Sequence, residues 1–259
     1  MRTSHLKLGD AMNSPSKAWL DSVFSSGPRR DLKTKNKSST RTAHKTELPG
    51  FGGEMYAQGD HHLVALKLLE HLWRCGQVKR FKAEAFDLLE IGGPALHVVD
   101  ILVEDKYSNS HIIQVKSKNY LTKEVEEVLE EERIFLTEKG FSFHVWTSGN
   151  VLAPPGSHSI RYIDDQYKNP PSKEVLDQIG ADVRNGFTSL YQLLNKYGWE
   201  DSISAAAHLI YHVDITKKLN ENSPIQPTIP DNFYAYLIAS RSRDEDWWST
   251  LKNTEIQEQ

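Results

Sequence analysis

An α/β fold is what this 259-residue sequence predicts: a mixed sheet flanked by helices, followed by a small helical module. Three observations carry it. From residue 60, helical periodicity gives way to strand-like stretches, then to a second helix and a further strand. The stretch Leu96–Lys118, LHVVDILVEDKYSNSHIIQVKSK, alternates apolar and polar residues on both sides of an Asp/Asn/Ser-rich turn. Beyond Pro170–Pro171, two or three helices precede a short extended segment.

Composition sets the bounds. Apolar content is ordinary, so the chain is able to bury a core. The net charge of −4 is unevenly spread, because residues 1–49 carry ten Lys/Arg against four Asp/Glu. Such a Ser/Thr/Lys-rich arm suits either phosphate contact or simple solubilisation. The single Cys75 argues against a disulfide framework and a cysteine-based zinc cage, and suits a reducing cytoplasm. With no long apolar run and no apolar signal core, a soluble cytoplasmic protein without membrane association is expected.

Taken in order, residues 1–54 read as a basic arm. It holds a short helix in NSPSKAWLDSVFSS and a flexible glycine turn in PGFGGEM, which lacks the Gly-Lys-Ser/Thr of a phosphate-binding loop. DHHLVALKLLEHLWRCG is helical, with Leu63, Leu66, Leu69 and Trp73 at helical spacing, Asp60 as a possible cap and Gly76 as the stop. VKRFKAEAFDLLEIGG reads as a strand closing at Gly92–Gly93, and the hairpin follows. TKEVEEVLEEERIFLTEKG is amphipathic. Its mainly apolar face runs through Val125, Val128, Leu129, Glu132, Phe135 and Leu136, with acids on its solvated side. FSFHVWTSG is a strand and VLAPPGSH a loop, which closes an α/β domain over 55–168. Residues 169–230 read as a winged-helix-like module with helices in LYQLLNKYG and SISAAAHLIYH. The tail, 231–259, carries Trp247 and Trp248, which suit either a partner groove or packing back onto the domain.

The chemistry concentrates in the hairpin. Alternation places Val98, Asp100 and Leu102 on one face, and Ile112, Gln114 and Lys116 on one face of the next strand. A carboxylate, an amide and an amine pushed from apolar strands are costly to bury without partners. Phosphodiester cleavage needs such a set: hard oxygen ligands for a divalent cation, here Asp100, Gln114 and the Val115 carbonyl, and an ammonium, Lys116, at the developing charge. The spacing is that of PD-(D/E)xK nucleases in the form D-x13-Q-V-K, with Gln where the second acid stands. The competing reading is an edge hairpin with solvated polar residues.

With these residues in view, the chain resembles the TnsA family, the endonuclease subunit of heteromeric cut-and-paste transposases. The resemblance rests on LLE at 68–70, VKRF at 78–81, VVDILV at 98–103 and QVKS at 114–117, together with LLNKYGWEDSISAAAHLIYHVDITKKLNENSPI. It implies a restriction-endonuclease-like mixed sheet followed by a winged-helix-like C-terminal domain. It also implies Mg²⁺, with Mn²⁺ as substitute, bound by Asp100 and Gln114, and Lys116 as the catalytic lysine. A family glutamate eight residues before Glu70 falls on His62, so His62 is the first choice for a third ligand, with Asp60, His61 and Glu54 as replacements. Glu84, which with Ala85 stands where the family has Gln-Pro, is read as either an assistant to the site or, preferably, a structural residue. The partners implied are DNA, a DDE-type transposase and an AAA+ ATPase regulator. The alternatives are a stand-alone restriction or repair nuclease and a catalytically degenerate DNA-binding scaffold.

Overall fold

In the computed structural model the described residues are 15–27, 43–48, 53–93, 97–153, 156–215 and 217–228. Trp247, Trp248 and the tail from 229 lie outside them, as does most of the basic arm. The chain forms α1 (Lys17–Ser25), β1 (Ala43–Leu48), β2 (Gly53–Gln58), α2 (Asp60–Arg74), β3 (Val78–Ala83), β4 (Ile101–Asp105) and β5 (Ser110–Lys116). It continues with α3 (Lys123–Glu138), β6 (Ser142–Thr147), α4 (Gly156–Gln166), α5 (Lys173–Arg184), α6 (Leu190–Tyr197), α7 (Trp199–Ala207), β7 (His212–Val213) and β8 (Ile225–Gln226).

The central sheet is mixed, in the order β3-β4-β5-β6. β3, β4 and β5 pair antiparallel, and β6 joins β5 in parallel after the crossover through α3. The β4–β5 hairpin holds its turn with Asp105, which accepts from the N–H groups of Tyr107 and Asn109, both at 2.8 Å. One sheet face, with Ile101, Val103, Ile113 and Val115, packs on α2 and joins a core that continues through α4, α5, α6 and α7. The opposite face, with Leu102 and Ile112, packs against Val23 of α1 and Leu136 of α3. Residues 169–228 thus share one hydrophobic core with the sheet. α2 is also tied to α4 by charge: Lys67 lies 3.0 Å from Asp164 and 2.9 Å from Asp165, and Arg74 lies 3.0 Å from Asp164.

Several sequence expectations need correcting. Part of the basic arm is structured: β1 and β2 pair antiparallel, and Leu48 and Ala57 enter the core, while residues 49–52 of the glycine turn lie outside the described residues. The extended stretch from Val78 stops at Ala83. Glu84 turns to φ 50°, and Leu88–Ile91 forms a 3-10 turn capped by Asp87. Gly59, at φ 88°, caps α2 in place of Asp60, which sits in its first turn. Val128 is exposed, off the buried face of α3. The loop reading at 156–158 gives way to α4, whose burial of Ile160 and Ile163 against α2 turns a polar segment into a helix. α7 ends at Ala207 rather than running to His212, with Leu209 at φ 62°.

α1 is anchored by a buried amine. Lys82 donates to the carbonyls of Val23, at 2.7 Å, and Ser26, and to Ser26 Oγ at 3.0 Å, supplying a buried donor to the carbonyl end of the helix. Lys82→Met is expected to cost about 1–3 kcal/mol in urea melts, the range for stranding buried acceptors. Hydrogen exchange should rise first in α1.

Candidate active site

The site is built where the regular ladder ends. Strict alternation would keep Val99 on the face of Ile101, yet Val99 packs with Leu102 and Ile112 on the opposite face. The parity breaks at Asp100, a bend just before β4. Across from it the Glu84 N–H donates to the Asp100 carbonyl at 2.8 Å, so the pairing continues irregularly past β3. Released from the pleat, the Asp100 side chain reaches the end of β5.

There it is buried, at 5 % exposure. Asp100 Oδ2 accepts from the Val115 N–H at 2.9 Å and from Lys116 Nζ at 3.2 Å. His62 Nε2, from the first turns of α2, stands 3.5 Å from the same oxygen. Burial pushes the Asp100 pKa upward. The hydrogen bond and charge of His62, the charge of Lys116 and the Val115 N–H outweigh it and hold the carboxyl well below the usual carboxylate range. Lys116 Nζ also donates to Gln114 Oε1 at 3.2 Å. The structure thus brings Asp100, Gln114, Lys116 and His62 together at one end of the sheet.

The other sequence candidates divide. Asp60 is exposed and lies 3.5 Å from Arg161. His61 is half-buried, about 100° around the helix from His62. The side chain of Glu54 lies outside the described residues. Glu84 is buried beside Asp100 and meets it through its backbone N–H.

Glu132 was read only as part of a helix face. It is buried at 3 % exposure, pairs with His97 Nδ1, and accepts from Gln114 Nε2 at 3.4 Å. By taking the amide's donor end, Glu132 directs the oxygen of Gln114 toward Lys116. The available signal was an acid standing in an apolar stripe.

Chemically, the Lys116 ammonium bridges two oxygen donors, one carboxylate and one amide. Such a pair suits a hard, partly hydrated cation such as Mg²⁺, which is held by few protein oxygens and completes its shell with water and phosphate. Imidazole beside the carboxylate adds a nitrogen donor of the kind transition metals take.

No protein-family model matches this chain, and no curated protein matches it. Among the described residues, no helix is long and apolar enough to cross a membrane.

A carboxyl with a depressed folded-state pKa stabilises the fold above its unfolded pKa and loses that contribution as pH falls toward the folded value. The stability of the wild type minus that of Asp100→Asn should therefore stay flat through neutral pH and fall below about pH 4. Urea melts at stepped acid pH check this; a difference that instead falls as pH rises above about 4 would show Asp100 un-ionised in the fold, and one independent of pH would show its pKa unshifted by folding.

Proposed function

We propose that this chain is a metal-dependent DNA endonuclease of the restriction-endonuclease-like class, acting as the strand-cleaving subunit of a heteromeric transposase. The observation that carries the nuclease reading is the convergence of Asp100, Gln114 and Lys116 from adjacent strands, with His62 from α2. The element order α2-β3-β4-β5-α3-β6, with β6 parallel to β5, supports the fold assignment. The transposase context rests on the resemblance to TnsA in the quoted motifs, and with it go a DDE-type transposase, an AAA+ ATPase regulator and a winged-helix-like role for α5–α7 with the β7–β8 ribbon.

In this reading Asp100, Gln114 and His62 would hold a Mg²⁺ ion, which would supply a lowered water pKa and charge screening at the phosphate. Lys116, freed from bridging the two oxygens, stabilises charge at the attacked phosphate or orients the incoming water. Glu132 keeps the Gln114 oxygen turned inward. With one carboxylate in the donor set, tight ion binding would need DNA phosphate as a further ligand. The substrate strand is the one not joined to target DNA.

Nicking of transposon-end DNA, assayed with Mg²⁺ and the partner transposase, is expected to fall about 10²-fold or more in Asp100→Ala and Lys116→Ala. Full activity in Asp100→Ala would sink the site. Glu132→Ala should raise the Mg²⁺ concentration needed for half-maximal rate by roughly 10–100-fold while leaving the rate at saturating metal largely intact. Cleavage by the chain alone, with no partner, would favour a stand-alone nuclease.

A further inference from the structure

A second cluster lies at the far end of α2, and the proposed cleavage site makes no use of it. His71 and Cys75 stand four residues apart, on one face of the helix end. His212, the first residue of β7, comes from the other side. One ligand atom from each of the three lies within 4.8 Å of the others. Nδ1 of His71 is buried with no hydrogen-bond partner, the costly arrangement that a Lewis-acid partner relieves.

We propose that His71, Cys75 and His212 form a binding site for a thiophilic d¹⁰ ion, zinc, which pins the end of α2 to the β7–β8 ribbon. Histidine nitrogen and cysteine sulfur are donors that zinc takes, and three protein ligands leave a fourth position for water. Bond lengths of about 2.0–2.3 Å place tetrahedral ligand atoms roughly 3.3–3.8 Å apart, so closing the site takes a contraction of about 1 Å. A lone cysteine excludes a cysteine cage but not a site in which histidines supply the other donors.

The electrostatics fit this chemistry. Burial, helped by Arg74 and His212, lowers the His71 pKa to about 3, and burial lowers that of His212 to about 4, so both rings are neutral donors. Burial pushes the Cys75 thiol up to about 12, against the opposing pull of Arg74. Binding therefore replaces the thiol proton with the ion and releases one H⁺ to solvent. Arg74 is the cationic neighbour that acts on both His71 and Cys75. Its charge is met by Asp164 at 3.0 Å, and its guanidinium lies 4.2 Å from the ring centre of Tyr167.

Because Cys75 is the single cysteine of the chain, any thiolate signal belongs to it. Titrating the full chain with Co²⁺ is expected to give a thiolate-to-cobalt charge-transfer band that saturates at one equivalent and is displaced by Zn²⁺. Cys75→Ser should abolish the band, and His212→Gln should weaken Co²⁺ binding about tenfold or more. Zn²⁺ should raise the melting temperature of the wild type but not of Cys75→Ser. A folded wild-type chain giving no such band, or a band that survives in Cys75→Ser, would overturn the site. Asp100→Ala should retain the band in full, which separates this site from the cleavage centre.

Discussion

A carboxylate taken out of water has to be met by donors, and Asp100 is where this fold meets that demand. Three groups from two elements answer it: the Val115 N–H, the Lys116 ammonium and the His62 ring. Each fixes something larger than itself. The Val115 contact sets where the end of β5 lies against the start of β4. The Lys116 contact carries the charge across to Gln114. The His62 contact brings the first turns of α2 onto the strand ends. Ending the regular ladder at Ile101 is what lets one side chain serve all three.

Gln114 shows how an outer residue decides what an inner one offers. An amide presents a donor at one end and an acceptor at the other, and only the acceptor is useful to a cation. Glu132, buried on α3 and paired with His97, takes the donor end. The helix that crosses from β5 to β6 thereby does two things. It places β6 parallel to β5, and it sets the polarity of a side chain on the strand beside it. A glutamate that would be solvated on an isolated helix becomes a buried partner because the sheet covers it.

α2 is the shared spine. Its apolar face fills the core between the sheet and the C-terminal helices, and Lys67 in its middle and Arg74 at its end bind Asp164 and Asp165 of α4. Its two ends carry different chemistry, His62 beside Asp100 and the His71–Cys75 pair facing β7. The continuous core from β3 to β8 means that movement of the β7–β8 ribbon is opposed by the same packing that holds the helix under the strands.

Local periodicity was enough to read α2, α3, the β4–β5 hairpin and β6 in their order, and to put Gln114 and Lys116 on one strand face. Those features depend on residues a few positions apart, where side-chain period and turn chemistry act directly. β1 and β2 escaped because short strands without a clear apolar alternation show their character only when paired and laid on α2. α4 escaped because its helix is stabilised mainly by burial on α2. The break of alternation at Asp100, the turning of Gln114 by Glu132, and the meeting of His71 and Cys75 with His212 all join groups distant along the chain. Only the closed tertiary structure decides them, since a contact between such residues exists once the core has fixed both partners and no earlier.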